Sequence, residues 1–380
     1  MASKFCNDSC PILRTIDEEW LLSGTNDLTD TTLVDIDLHG VTIDWNKYTV
    51  DDTTLFIGCI LDLEVEITLR RRGANFLHAP GSLPYRPLRR NLYTYGELME
   101  GYSTEEDRSK DLEIYRHFEH AKQCPSINEA LWQRIHDFSI DEGLRRLLKF
   151  DEHGLPMRKA VGFMGGHGTS RASEDYRTSL RTAKKLAEAG YFVVSGGGPG
   201  IMEAANLGAY LAGASEEDLD WVLTTLAAAP TYKDKGFQEA ALAILERFPE
   251  GTESLAIPTW FYGHEPSNLF ATYIAKYFSN SIREDTLLAI ALYGIVYAPG
   301  SAGTTQEIFM DATQNHYVTF DFVSPMVFLG TKRYSEDTRL YPLLTELAAG
   351  RAYADYLFLT DNPAEVVTFI DKHPPLRVNQ

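Results

Sequence analysis

The chain has 380 residues and a formal net charge of −19 at pH 7. The length sets an expectation of two domains, and the charge argues against a surface that wraps nucleic acid or lies on an anionic membrane. Hydrophobic residues at 44% and aromatics at 12% can supply a large core.

The four cysteines are Cys6, Cys10, Cys59 and Cys124. They are too few for a disulfide scaffold, and no second pair follows Cys6 and Cys10 at zinc spacing. The opening MASKFCNDSC lacks the apolar core of a signal peptide, and no apolar run is long enough to span a bilayer. The expectation is a cytoplasmic protein with reduced thiols and no metal. A small anionic ligand would need a locally positive pocket within this acidic chain.

In chain order, Thr31 to Leu69 is rich in Thr, Val, Ile and Asp. Alternations such as Leu33-Val34-Asp35-Ile36-Asp37-Leu38 predict several strands. Gly73 to Arg90 reads as loop, with Pro80, Pro84 and Pro87 beside Arg86, Arg89 and Arg90. From Tyr93 to Phe150 the pattern turns helical, with Leu131, Ile135, Phe138, Leu144, Leu147 and Leu148 near helical spacing. The run Asp151-Glu152-His153-Gly154-Leu155-Pro156 marks the expected boundary. It separates an N-terminal α+β domain, residues 1–155, from a second domain, residues 156–380.

From Lys159 strand and helix alternate. Val161 to Met164 predicts a strand, and Gly165-Gly166-His167-Gly168-Thr169-Ser170 a turn. An amphipathic helix follows, with Tyr176, Leu180, Ala183, Leu186 and Ala187 on one face and Gly190 at its end. Phe192-Val193-Val194 is the next strand, Gly196-Gly197-Gly198-Pro199-Gly200 the next turn, and Ile201 to Leu211 the next helix. Further strands are expected near Leu255–Ile257, Ile295–Ala298, Met326–Leu329 and Leu357–Leu359. The last helix should start at Asn362-Pro363, with proline at its first position. This alternation predicts an α/β fold, a mostly parallel sheet with helices on both faces. Ligands in such sheets sit outside the carboxyl ends of the strands.

Three glycine-rich turns follow strands and precede helices: Gly165 to Ser170, Gly196 to Gly200, and Gly300 to Thr305. Each alone is explained equally well by a tight turn or by a ligand. Together they favour a phosphate-bearing ligand, since glycine allows close backbone approach and helix starts attract anions. The hydroxyls of Thr304 and Thr305 add donors. None of the three is a Walker loop, and the second has glycines at the wrong spacing for a dinucleotide fingerprint.

Glu307 is expected in the first turn of the helix that follows, where it either complements the dipole or faces a sugar. A carboxylate beside a sugar can stabilise the positive charge that develops when an N-glycosidic bond breaks. Asp311, one turn on, is either a second acid or a solvated residue, the latter being favoured. Arg283, in Asn280-Ser281-Ile282-Arg283-Glu284-Asp285, lies at a helix start that disfavours it. It either reaches an anion or carboxylate, or forms a surface pair with Glu284 or Asp285.

The two motifs Gly196-Gly197-Gly198-Pro199-Gly200-Ile201-Met202 and Pro299-Gly300-Ser301-Ala302-Gly303-Thr304-Thr305-Gln306-Glu307 resemble the LOG (LONELY GUY) family, some members of which carry a lysine decarboxylase label. The resemblance covers roughly residues 159–330. It implies a Rossmann-like fold, no cofactor, and at least a dimer with the site near the interface. The implied activity is that of a nucleoside 5′-monophosphate phosphoribohydrolase, releasing a free base and ribose 5-phosphate. His264-Glu265-Pro266-Ser267-Asn268 and Tyr293-Gly294-Ile295-Val296-Tyr297 look closer to the longer bacterial enzymes, which act on ordinary purine and pyrimidine nucleotides. The implied catalytic residues are Glu307 and Arg283. Gly303 and Thr304, with Thr305, would hold the phosphate, helped by Gly198 and Gly200. Gly165, Gly197, Gly300 and Met202 complete the expected substrate-binding set. Ser301 departs from the family's second glycine, the first turn departs from Gly-Ser-Ser, and Ser215 to Pro258 is long for a minimal member.

A pyridoxal phosphate enzyme needs a Schiff-base lysine. None lies in the three turns, and the nearest, Lys276 and Lys332, have no supporting motif, so the decarboxylase label is rejected. Among other residues, His167 is a phosphate donor or polar surface, and Met202 packs on a base or in the core. Trp260, Phe261, Tyr262 and His264 stack on a base or bury a contact between subunits. Lys332-Arg333 binds phosphate or belongs to an interface. The alternative to the enzyme is a non-catalytic nucleotide-binding module with the N-terminal domain as output. A third option is an enzyme acting on a modified or signalling nucleotide.

Overall fold

The protein is described by a computed structural model covering residues 12–13, 26–103, 106, 108–122 and 124–378. Cys6 and Cys10 lie outside the described residues. Two compact units emerge. One comprises Asn7–Arg89 with Ile127–Ser139, and the other Arg90–Ser126 with Ile140–Gln380. The division therefore differs from the expected 155/156 boundary. The change in composition near 155 marks the approach to a buried strand, whereas Arg90–Ser126 packs with the strands that come later.

The smaller unit holds four parallel strands in the order β1 (Ile12–Leu13), β2 (Thr32–Val34), β3 (Leu55–Ile57) and β4 (Asn75–Leu77). Between β3 and β4 runs helix α1 (Leu63–Arg71), where strand was expected to continue to Leu69. Its charges are those of a helix: Glu64 and Glu66 in the first turn, Arg70 and Arg71 in the last, and a Glu66–Arg70 pair at 2.8 Å one turn apart. β4 lies in the stretch expected to be loop. Leu33, Trp45, Phe56 and Leu69 form this unit's core, with Phe56 stacked on Phe76 at 4.5 Å.

The helical texture of residues 93–150 becomes α2 (Tyr95–Leu98), α3 (Lys110–Ala121) and α4 (Ile127–Leu148), the residues of α4 being divided between the two units. The larger unit continues as β5 (Ala160–Met164), α5 (Glu174–Glu188), β6 (Phe192–Ser195) and α6 (Ile201–Tyr210). Next come α7 (Glu216–Ala227), α8 (Phe237–Arg247), β7 (Leu255–Ala256), β8 (Tyr273–Ile274) and α9 (Asn280–Ile290). β9 (Ile295–Tyr297), α10 (Ala302–Tyr317), β10 (Phe322–Val323) and β11 (Met326–Leu329) follow. The last elements are α11 (Leu340–Ala348), β12 (Leu357–Thr360), α12 (Pro363–Lys372) and β13 (Leu376–Arg377).

Seven strands form one parallel sheet in the order β12-β11-β9-β5-β6-β7-β8. This is the α/β architecture expected. Every residue of β5 and β6 is buried, as a parallel sheet covered on both faces requires. Val161, Phe163, Val193, Val296 and Val327 pack with Ala183 and Leu186 of α5 in one cluster. Outside β8, Tyr93 exchanges two backbone hydrogen bonds with Ile274, at 3.0 and 2.8 Å.

Local signals explain the helix ends. The Ser173 side chain caps α5 through the Tyr176 N–H, and Gly190 follows it at φ +86°. Ser215 and Asp218 form a capping box on α7. Asn362 caps α12, with Pro363 at its first position, as expected. The long stretch from Ser215 to Pro258 is thus largely two helices.

The chain leaves β5 in both directions across the sheet: through β6, β7 and β8 on one side, and through β9, β11 and β12 on the other. The order reverses between β5 and β9. An open α/β sheet offers its ligand crevice at such a point.

Candidate functional site

The three glycine turns meet at this reversal. The Gly166 N–H donates to the Pro299 carbonyl at 3.0 Å, and the Ile201 N–H donates to the Gly166 carbonyl at 3.1 Å. Several of the expected ligand glycines make room for the chain itself. A side chain on Gly165 would meet Ile201 at 2.6 Å, and one on Gly197 would meet Pro258 at 2.7 Å. One on Gly300 would meet the Thr304 hydroxyl. Gly200 sits at φ +69°, and its missing side chain lets the Gly166 carbonyl pass. Gly303 is different: nothing lies within 4 Å of where its Cβ would be.

Helix α10 starts at Ala302, one turn earlier than expected. Gly303, Thr304 and Thr305 are therefore its first turn, and Glu307 falls in the second. Ser301 precedes it without a side-chain cap, and the first turn holds no acid. The Thr305 N–H already donates to the Ser301 carbonyl at 3.0 Å, so the N–H groups that precede it and the positive end of the dipole are what face an anion. Thr304 is buried, and the Thr305 hydroxyl donates to the Ser301 carbonyl at 3.1 Å. Helices α6 and α9, which carry Met202 and Arg283, also lack side-chain caps.

Arg283 and Glu307 come together. The guanidinium Nη1 lies 3.3 Å from Glu307 Oε1, and the two side chains are 9% and 14% exposed. The pair with Glu284 considered for Arg283 does form, at 3.8 Å, but it is buried and not at the surface. The closest partner of Arg283 is Asn280, whose Oδ1 accepts from Nη2 at 3.0 Å and Nε at 3.3 Å. Glu284 stands 3.8 Å away, itself held by Asn280 at 2.6 Å and Gln306 at 3.0 Å. Asn280 was not singled out from the sequence, although its place one turn before Arg283 is the signal that finds it. Burial pushes the Glu307 carboxyl above the ordinary glutamate range. Arg283 opposes that shift and Glu284 adds to it.

Asp311 is not solvated. It is 3% exposed and accepts from the Tyr297 hydroxyl at 2.7 Å and from Asn315 at 3.3 Å. Burial raises its carboxyl to about 7, and the Tyr297 bond only partly offsets this. The raised value means that the folded protein favours the protonated acid. Asp311 thus contributes stability below its unfolded value near 4, and that contribution is lost as pH rises towards 7. Asp311→Asn should therefore gain stability over wild type as pH rises from 4 to 7. The Asn315 bond it forfeits limits the gain to about 2 kcal/mol. Urea unfolding of both proteins across this range checks the sign, and a difference that does not change with pH refutes it.

The loop after β7 divides its aromatic residues. Trp260 is fully buried, with its indole N–H on Asp111 at 2.8 Å, so it is core and not a stacking platform. Phe261 and Tyr262 are exposed, and the Tyr262 hydroxyl accepts from Asn280 at 2.9 Å. His264 lies 3.5 Å from Asp111. Lys276 is buried against Asp111 at 2.7 Å. Lys276 and His264 together hold the Asp111 carboxyl well below the usual range, although burial works against them. A lysine whose Nζ is buried against both oxygens of a carboxylate is not a free Schiff-base amine, which adds to the case against decarboxylase chemistry. Arg333 donates to the Gly300 carbonyl at 2.5 Å and so braces the third turn.

Met202 lies against the second turn. Its Sδ is 2.7 Å from where a Gly196 Cβ would be, and its Cε 2.7 Å from that of Gly198. His167 faces Glu265 at 3.9 Å. The sequence reading missed Arg171, directly after the first turn. It is buried and forks onto Glu203 of α6 at 2.8 and 2.5 Å, tying the first turn to the helix after the second. No helix of the described residues is long and apolar enough to cross a membrane.

Residues 158–216, which carry the first two turns, match the model of the SLOG cluster4 family. This stretch is LOG-like. The SLOG match supports the resemblance read from the glycine motifs and ends before Arg283, the third turn and Glu307. A comparison with curated proteins finds no match. Among solved structures, the molybdenum cofactor carrier protein of Chlamydomonas reinhardtii is 15% identical. That likeness covers 57% of this chain and 97% of the other, at a TM-score of 0.36. The molybdenum cofactor binding protein of Rippkaea orientalis is 14% identical over 57% and 98%, also at a TM-score of 0.36.

Proposed function

We propose that the larger unit is a nucleoside 5′-monophosphate phosphoribohydrolase. The observation that carries this reading is the buried Arg283–Glu307 pair at 3.3 Å, one turn below an uncapped helix start. The 5′-phosphate takes the N–H groups of Ala302, Gly303 and Thr304. The ribose then lies along α10 towards Glu307. As the bond from C1′ to the base nitrogen breaks, its electron pair leaves with the base and C1′ becomes cationic. The Glu307 carboxylate stabilises that charge and orients the attacking water. The water oxygen bonds to C1′. One water proton stays on the new hydroxyl and the other ends on the base. Arg283, fixed by Asn280, positions Glu307 and faces the anionic end of the substrate.

The test is incubation of the purified protein with AMP, GMP, IMP, CMP, UMP and a cytokinin ribotide, with the products separated by chromatography. Free base in equal amounts with ribose 5-phosphate is the expected result. Bound but intact nucleotides would replace this reading with a non-catalytic nucleotide-binding module.

A further inference from the structure

From the position of its hydroxyl we infer that Tyr262 is a further catalytic residue, the acid that gives a proton to the departing base. This rests on the proposed function, because it adds a step to the reaction assigned to the same site. That reaction leaves one need unmet. The electron pair of the broken bond goes to the base, which must gain a proton to leave as a neutral molecule. Glu307 meets the sugar as a carboxylate, and an arginine does not release its proton.

Asn280 joins Tyr262 to the Arg283–Glu307 pair. Its side-chain oxygen accepts from Arg283 at 3.0 Å, and its side-chain nitrogen donates to the Tyr262 hydroxyl at 2.9 Å and to Glu284 at 2.6 Å. The phenolic oxygen is the acceptor in that bond, so its own hydrogen points elsewhere. Among the described residues nothing accepts it. Tyr262 is 65% exposed, which leaves this hydrogen open to a ligand. The segment that carries it is held on its other side. Trp260 is fully buried, the Phe261 N–H donates to the Thr259 hydroxyl at 3.0 Å, and Lys122 lies over the Phe261 ring at 4.5 Å and donates to the Phe261 carbonyl. The Phe261 and Tyr262 rings meet edge to face at 5.3 Å.

Burial and the Glu284 carboxylate hold the Tyr262 hydroxyl above the ordinary tyrosine range, so it carries its proton at neutral pH. Arg283 and the Asn280 bond oppose that shift, because each favours the phenolate. The step balances. As the bond from C1′ to nitrogen breaks, its electron pair stays on the base, and the base takes the Tyr262 proton. The phenolate, held by the Asn280 amide, then takes the proton released when the water oxygen bonds to C1′. Tyr262 ends as it began, and the proton gained by the base is replaced from the water.

The experiment measures kcat and calorimetric Kd for wild type and Tyr262→Phe on two substrates. One is the panel nucleotide that turns over fastest, and the other is para-nitrophenyl ribofuranoside 5′-phosphate, whose phenolate leaves without a proton. Phenylalanine keeps the ring, and Asn280 keeps Glu284 and Arg283 as partners. On the nucleotide the variant should lose about 10²-fold in kcat, the scale of general acid catalysis, at unchanged Kd and melting temperature. On the aryl compound it should match wild type. Equal losses on both substrates overturn the inference, as does a nucleotide kcat that does not fall or a loss that lies in Kd. If wild type does not cleave the aryl compound, the split between kcat and Kd on the nucleotide decides in the same way. If wild type cleaves nothing, the hydrolase reading falls and the role of Tyr262 with it. A variant that equals an active wild type removes only the role of Tyr262.

Discussion

Glu307→Gln should lose about 10²- to 10³-fold in kcat while binding nucleotide as tightly as wild type, the loss associated with removing one electrostatic contributor to a transition state. Glutamine keeps the shape, and its oxygen still accepts from Arg283, so the substrate meets the same walls. Only the negative charge that faces the cationic sugar is removed. The fold should not suffer. Burial already disfavours the ionised carboxylate, and Arg283 keeps Asn280 at 3.0 Å as a partner. A melting temperature at or above that of wild type is therefore expected, which separates lost chemistry from lost structure. The pH profile adds an independent sign. Turnover needs the ionised form, whose pKa is raised, so the acid limb in kcat should lie above the pH at which an exposed glutamate titrates. That limb should vanish in the variant. Turnover equal to wild type in Glu307→Gln would end the mechanism.

The second large effect concerns stability. Arg171→Met should destabilise the larger unit by about 3–5 kcal/mol, the cost of stranding a buried charge. Arg171 is 1% exposed and makes four hydrogen bonds: two to Glu203, one to the Phe237 carbonyl at 3.0 Å and one to that of Ala229 at 3.4 Å. Its guanidinium also lies 3.4 Å from the centre of the Phe237 ring. Methionine fills the volume but leaves Glu203, among the described residues, with only the Tyr176 hydroxyl, at 3.0 Å. The double variant Arg171→Met/Glu203→Gln removes the stranded charge and should recover more than half of the loss. Urea denaturation of the three proteins measures this. A single variant costing under about 1 kcal/mol would show that the pair is a bystander.

The strands of the larger unit were legible because parallel strands buried on both faces leave continuous apolar runs, such as Val161 to Met164, with glycines behind them. Helix ends were legible where one residue type fixes the geometry, as at Gly190 and Asn362-Pro363. What stayed hidden depends on distant partners. Asp111 and Lys276 are 165 positions apart, and each alone reads as a surface charge. Asp311 reads as solvated until Tyr297 is placed across from it. The misreading at α1 came from a short window, Leu63 to Leu69, in which strand and helical periods are hard to separate. The site followed the same division. Arg283, Glu307 and the glycine turns came from motifs. The bracing by Asn280, Arg171 and Arg333 needed the fold, because nothing in a side chain's identity says which carboxylate or carbonyl it will meet. The start of α10 is hidden in the sequence because Gly303 reads as turn, although it lies inside the first turn of the helix.

The pairing of Tyr93 with β8 bears on how this protein can be cut. A fragment starting at the shift in composition near residue 156 would remove Tyr93 and leave the N–H and C=O of Ile274 unpaired along the side of a strand. Such a side is a template on which another chain can add itself. The fragment's failure would be self-association into aggregates, which an activity assay would misread as a dead enzyme. A fragment beginning at Arg90 keeps that side of the sheet closed.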